Sequence, residues 1–248
     1  MVKVGAKLVS DNVFALELDN GSRVDPRLWP RLHPLLIAHD VGARRDRSTA
    51  VVGGFCRYAP GKLGITEFNE LPQGLYGSER AGALARVDAR YDRNALIVAD
   101  LSNDTSYAEQ LIETFGPRVI GVHIGRHGDG MTFERRRVGR GNIIIYQVGR
   151  SHLLEALRSD LHAGRVCFAD GADARRAYGQ LEALEPEMRE TGIVYKCPPG
   201  QHDDLGISCA MLNWAGHHPH LEYWMGNVVA ARRPRRRAQP KTSWAAWT

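Results

Sequence analysis

Along this chain the spacing of apolar residues switches between the strand and the helix period, and the switches mark its elements. Leu35-Leu36-Ile37-Ala38 is an unbroken apolar run bounded by Pro34 and closed by Gly42. It is too short for a free-standing helix and reads as a strand buried on both faces. The strand ends on an acid, Asp40. Residues 95–100, Ala95-Leu96-Ile97-Val98-Ala99-Asp100, repeat the same design and end on Asp100. Between them, residues 49–58 and 63–71 are rich in β-formers and are separated by the turn Ala59-Pro60-Gly61-Lys62. Three successive strands on short turns predict an antiparallel meander.

The pattern then turns helical. Ser78 is placed to cap a helix carrying Leu84, Val87 and Tyr91 on one face. Residues 105–115 set Ala108, Leu111, Ile112 and Phe115 at helical spacing, and residues 119–124 follow as a strand. That is a β-α-β unit, which requires parallel pairing. The glycine-rich stretch 125–130 and the run Glu134-Arg135-Arg136-Arg137-Val138-Gly139-Arg140 precede a strand at 142–148, so the basic segment reads as a protruding loop or ribbon. A helix over 151–162 shows Leu154, Leu157 and Leu161 on one side. A short strand covers 165–170. Residues 173–191 read as a helix with Ala177, Leu181, Leu184 and Met188 inward, bent or restarted at Pro186. The last helix begins near His202 and runs to about Ala215. At the start, residues 13–18 and 22–24 flank Asp19-Asn20-Gly21, a hairpin turn signal, and Pro26, Pro30 and Pro34 mark a connector. These patterns divide the chain into an N-terminal hairpin and linker (1–34), one main domain (35–230) and a basic flexible tail (231–248).

Composition narrows the class. The 248 residues are 43% hydrophobic and 25% charged, ordinary for a soluble globular protein. No apolar run approaches membrane-spanning length, and the N-terminus lacks a signal-peptide core. Cys56, Cys167, Cys197 and Cys209 form no C-x-x-C pair, so neither a zinc ribbon nor a disulfide framework is indicated and a reducing cytoplasm is the default. A net charge of +5 and a pI near 9.2 favour a polyanionic partner. The excess lies in Arg135, Arg136, Arg137 and Arg140, and in Arg232 to Arg237 of the tail. Clustered arginines suit phosphate contacts.

Candidate chemistry rests on acids. A third acidic position opens the last helix in His202-Asp203-Asp204-Leu205. Helix N-termini favour acids electrostatically, which accounts for one aspartate but not for its company with two acid-ended strands. Carboxylates gathered together repel and need divalent cations, and hard oxygen donors select magnesium or manganese over zinc. Two such ions roughly 3.5 to 4 Å apart can activate a water and stabilise the leaving oxygen in phosphodiester cleavage. Asp104 reads as a cap for the helix after it. His217, His218 and His220 fit no regular zinc spacing and read as a solvated loop.

The order of these pieces carries a resemblance. Asp40 on a first strand, a polar loop with Arg47-Ser48-Thr49-Ala50, a meander, Asp100 on a fourth strand and His202-Asp203-Asp204-Leu205 on a closing helix together resemble the nuclease domain of a tailed-phage large terminase. More widely they resemble the retroviral-integrase and RNase H superfamily. The similarity runs from about Leu35 to Trp214. It implies an α/β fold with an RNase H-like mixed five-stranded sheet, an antiparallel three-strand meander plus parallel strands, flanked by helices. It also implies that Asp40 bridges two Mg2+ or Mn2+ ions, that Asp100 binds one of them, and that Asp204 is the third ligand with Asp203 its close competitor. His202 would orient these acids or sit near the scissile phosphate, or would simply cap the helix. Asp46 and Thr49 fall in the matching loop, Asp46 as a peripheral ligand at most. Asp170 ends a similar strand, but the family has an ordinary edge strand there.

The activity implied is metal-dependent endonucleolytic cutting of concatemeric viral DNA during genome packaging in the host cytoplasm, with Arg135, Arg136, Arg137 and Arg140 gripping double-stranded DNA. The implied partners are an ATPase motor domain or subunit, the portal and the small terminase. Two departures bear on a fourth ligand: Ser102-Asn103-Asp104-Thr105 replaces a glycine-rich turn, and Ile207 stands where many members carry another Asp. No G-x-x-x-x-G-K-[ST] phosphate loop occurs, so the motor would lie elsewhere, with this chain an excised domain, a separately encoded nuclease half or a prophage remnant. No base-reading module is recognisable, so cutting would be largely independent of sequence. The competing readings are a RuvC-type Holliday-junction resolvase and a non-catalytic scaffold that binds DNA or a portal protein.

Overall fold

The structure, a computed structural model, describes residues 13–14, 16–17, 23–24, 32–42, 47–56, 61–102, 104, 106–189 and 192–232. Near the N-terminus β1 (Leu16–Glu17) and β2 (Arg23–Val24) pair antiparallel, as the Asn-Gly signal between them predicts. The main sheet begins with β3 (Leu32–Asp40), β4 (Thr49–Cys56) and β5 (Leu63–Glu70), joined as an antiparallel meander. β3 starts three residues ahead of Leu35, with a register irregularity between Leu32 and Leu35. Helix α1 (Gly77–Ala89) leads to β6 (Leu96–Asp100), and α2 (Tyr107–Phe115) to β7 (Val119–Gly125). Strand β6 lies parallel to both β3 and β7. Next come β8 (Asp129–Val138), β9 (Gly141–Gly149), α3 (Arg150–His162), β10 (Val166–Phe168) and α4 (Ala172–Ala183). The short hairpin β11 (Glu185–Arg189) and β12 (Gly192–Lys196) precedes α5 (Asp204–Gly216) and α6 (Leu221–Arg232).

Among the described residues the main sheet has eight strands rather than five, in the order β10-β5-β4-β3-β6-β7-β9-β8. Meander and parallel strands are as expected; the surplus is at the edges. Strand β8 carries the arginine run, and its residues 131–137 are all exposed, so no burial period marks it in the sequence. Its pairing with β9 resolves the loop-or-ribbon alternative in favour of a ribbon.

Strand alternation assigns the two faces. Leu36, Ala38, Leu96 and Val98 point into the core shared with α3, α4, α5 and α6, while Ile37, Ala50, Ile97 and Ala99 pack under α1 and α2. By the same period Asp40 and Asp100 project on the α5 side. The parallel register pairs Leu36 with Leu96 and His39 with Ala99, which sets the two acids side by side at the strand ends. Helix α5 is buried along its whole length from Leu205 to Gly216, apolar nearly all round and wedged between sheet and helices.

Several expectations change. The long helix over 173–191 ends at Ala183 because Leu184 is extended and Pro186 cannot continue a helix, so Met188 is 77% exposed on β11 instead of inward. Ser78 does not cap α1; Tyr76 holds that position and makes no side-chain capping bond. Of the three histidines after α5, His217 is exposed as expected, His220 is half-buried and His218 is buried. His218 is 5% exposed and stacks on Trp224 at 4.5 Å, and its Nε2 meets the Gly130 carbonyl at 3.0 Å. Gly130 needs to be glycine, because a Cβ there would collide with the Trp214 indole and its φ is +76°. The basic tail beyond residue 232 and the segment 43–46 lie outside the described residues. Among the described residues no helix is long and apolar enough to cross a membrane.

One buried group next to the site gives a pH signature. His39 is fully buried; its Nδ1 donates to the Thr49 carbonyl at 2.8 Å, leaving Nε2 to accept from the Tyr107 hydroxyl at 3.4 Å. Burial, aided by the Arg80 charge and opposed by the Thr49 bond, lowers its pKa from 6.5 to about 4. Above pH 6.5 both folded and unfolded histidine are neutral; below it the unfolded chain takes a proton that the folded one refuses. Stability should therefore fall between pH 6.5 and 4, by on the order of 3 kcal/mol from this group. Denaturant melts across that range should show the slope, and His39→Gln should flatten it whatever the variant's absolute stability.

Candidate active site

The C-terminal ends of β3, β6 and β7 and the N-terminus of α5 enclose a cavity of about 440 Å³. Among the described residues Asp40, Asp100, Asp203 and Asp204 line it, together with Arg126, Arg150 and Ser102. Acids from three separate stretches of sequence thus meet in one place.

Each acid is held differently. Asp100, 5% exposed, accepts hydrogen bonds on Oδ1 from the Ser102 backbone N–H at 2.8 Å and from the Ser102 hydroxyl. Burial pushes its pKa up in spite of those bonds, so its surroundings penalise the charged form. Asp40 is half-buried at the end of β3. Asp204 opens α5, and its carbonyl accepts from the Thr49 hydroxyl at 3.1 Å. That hydroxyl also meets the Ser208 hydroxyl at 2.7 Å, so β4 is bolted to the first two turns of α5.

Asp203 departs from local rules. It occupies the N-cap of α5, where an aspartate ordinarily accepts a hydrogen bond from the first-turn N–H groups, yet its side chain makes no such bond. Its carboxylate instead takes the Arg150 guanidinium. The vacated capping role passes to α4, from which Gln180 Oε1 accepts the Gly206 N–H at 3.0 Å. Arg150 is equally anomalous. It is the first residue of α3, where the helix dipole disfavours a cation, and the first turn of α3 has no acid. The charges of Asp40 and Asp204 also act on it, as does Cys197.

No protein-family model and no curated protein matches the chain. Solved structures do. The large terminase nuclease from thermophilic phage G20c aligns over 83% of this chain and 94% of its own, with a TM-score of 0.54 at 18% identity. The same nuclease with bound magnesium aligns over 82% and 93%, with a TM-score of 0.53 at 18% identity. The Thermus phage P74-26 large terminase nuclease domain aligns over 83% and 91% at 17% identity with a TM-score of 0.48. This chain has the large-terminase nuclease fold.

Within that terminase-type fold, the residues singled out from sequence divide into two groups. Asp40, Asp100, Asp203 and Asp204 come together. The others do not. His202 is exposed, lies one residue before the N-cap and does not line the cavity. Thr49 is buried and acts through α5 as described. Arg135, Arg136 and Arg137 lie exposed on the edge strand β8 and Arg140 in the turn to β9, away from the cavity lining. Asp46 is outside the described residues. Asp170 is engaged by Arg175 at 2.8 and 2.9 Å, and Asp104 accepts the Tyr107 N–H of α2 at 3.2 Å, the capping role expected of it. Sequence reading missed Arg126, Arg150, Ser102 and Gln180. For Arg150 a signal existed: a cation opening a helix conflicts with the dipole and asks for an external partner.

The carboxylate oxygens suit a hard divalent cation, and the strained burial of Asp100 calls for positive charge. Among the described residues, however, no three acid, histidine or cysteine side chains stand close enough to hold one ion in the present arrangement. The guanidinium of Arg150 stands among them.

If Gln180 supplies the cap that Asp203 gives up, Gln180→Ala should lower unfolding stability by about 1 kcal/mol. Urea titration measures this, and Gln180→Glu, which keeps an acceptor, should recover most of the loss.

Proposed function

We propose that this chain is a divalent-cation-dependent DNA endonuclease that cuts concatemeric viral DNA during genome packaging. The reading rests on one observation: acids from β3, β6 and the start of α5 converge on one cavity in a fold of the terminase-nuclease type. Magnesium bound to the similar G20c nuclease supports a metal of that class. A pair of Mg2+ or Mn2+ ions, when bound, would supply an activated water and charge neutralisation at the leaving oxygen. Asp40, Asp100 and Asp204 would hold them, with Asp203 joining when its arginine partner is released. Ser102 fixes the Asp100 carboxylate through Oδ1 by its backbone N–H and its hydroxyl, at the cavity lining. Thr49 and Ser208 fix the height of Asp204 above the strand ends. Arg126, exposed at the cavity rim, is placed to meet a DNA phosphate.

On this reading β8 tracks the duplex, its arginines contacting phosphates without reading bases. The functional domain spans 35–230, the hairpin and prolines before it are a linker, and the tail after 230 adds basic charge. An ATPase motor, the portal and the small terminase complete the machine in the host cytoplasm.

The decisive assay is cleavage of supercoiled plasmid with magnesium, manganese or EDTA. Asp40→Asn, Asp100→Asn and Asp204→Asn should each lose roughly a hundredfold or more in rate, since even residues supporting metal ligands often cost 10- to 100-fold, while DNA binding persists. Cutting that survives EDTA, or survives all three substitutions, would sink the proposal. Replacing Arg135, Arg136 and Arg137 together with alanine should reduce the steepness of binding against salt by roughly 0.9 per lost phosphate contact on a log–log plot. An unchanged slope would remove β8 from the DNA path.

A further inference from the structure

The cavity contains a cation of its own. Arg150 reaches across from α3 to the carboxylate of Asp203, its side chain 33% and that of Asp203 14% exposed, and lies within the electrostatic reach of Asp40 and Asp204. Neither residue is placed there by its own helix. An arginine at the start of α3 is opposed by the helix dipole, and an aspartate at the N-cap of α5 would ordinarily turn back to its own first turn. Gln180 takes over that turn by accepting the Gly206 N–H, which releases Asp203 for the pairing. A third side chain thus removes the local competitor for Asp203, so the pairing is provided for by α4 as well as by its own two members. The guanidinium is also a poor fellow-occupant for a divalent ion, because two cations sharing the same carboxylate repel in a partly desolvated site.

We infer that Arg150 is a built-in counter-ion that competes with divalent cations for Asp203, so that this carboxylate enters a cation centre only after the guanidinium has swung away. The inference rests on the cation-centre reading given above and adds an exchange to it: without metal, Arg150 offsets the crowded negative charge; with metal, the freed guanidinium stays at the cavity wall, where it can meet a phosphate. The exchange has a direction. Removing Arg150 must favour the cation and disfavour the cation-free protein.

Calorimetric titration of the full chain with Mn2+ tests this without any cleavage assay. Arg150→Gln should bind Mn2+ roughly tenfold more tightly than the parent, the scale set by losing one charge-assisted competitor. It should also melt at a lower temperature than the parent in EDTA and gain more from added Mn2+. In an Asp203→Asn background the same substitution should bring a clearly smaller gain, because the contested carboxylate is gone and only the longer-range repulsion of the ion by Arg150 is relieved. Arg150→Lys, which keeps the charge but not the planar fork, should give a smaller gain and carries the test if the glutamine variant fails to fold. Equal or weaker Mn2+ binding by folded Arg150 variants, with binding still abolished by Asp40→Asn, would overturn the counter-ion role and leave the cation centre standing. Absence of Mn2+ binding in the parent and in every variant would overturn both.

Discussion

Negative charge held partly out of water governs this molecule. Four carboxylates around one cavity repel one another when charged, and burial of the most enclosed of them, Asp100, penalises its charged form. Such an arrangement lasts only if the backbone leaves the acids no escape and if positive charge is near. The sheet supplies the first condition. Alternation along β3 and β6 sends Asp40 and Asp100 to the same face, and the parallel register aligns them at the strand ends. Arg150 supplies part of the second, Ser102 adds hydrogen bonds to Asp100, and in the proposed function divalent cations would supply the rest.

The third strand-like anchor is a helix, and its fixity comes from burial. Helix α5 has no solvent face, so it cannot slide or rotate without exposing apolar surface. Polar ties add direction. The Thr49 and Ser208 hydroxyls join it to β4, and Asn213 donates to Asp160 of α3 at 2.7 Å while Arg165 closes the same carboxylate. Gly206 lets α4 approach so closely that an added Cβ would stand 3.0 Å from Leu181. The start of α5 is therefore held from the sheet, from α3 and from α4 at once, and Asp203 and Asp204 inherit that precision.

The basic edge strand answers a different pressure. A terminal strand with open N–H and C=O groups invites pairing with another chain, and a row of arginines on β8 discourages it. The same row carries the charge that a phosphate backbone would meet under the proposed function. Because β8 is paired to β9 rather than looped out, its charges have a fixed spacing along an edge.

Much of the design was legible in the residues alone. Apolar runs ended by acids located β3 and β6, the order of elements gave the meander and the β-α-β crossover, and the acidic start of α5 stood out against an apolar helix. Local pattern suffices there because burial on both faces leaves a composition signature. It misled at 173–191, where leucine spacing suggested a continuing helix but Pro186 turned the chain into a hairpin, and at β8, where full exposure erases the period. The tertiary structure alone decided which side chains answer the acids. That Arg150 takes Asp203, that Gln180 caps the helix in its place and that Thr49 braces α5 are contacts between residues 26 to 159 positions apart in the chain. No local periodicity encodes such partners, because hydrogen bonds and ion pairs over that separation depend on how whole elements pack, not on the spacing within any one of them.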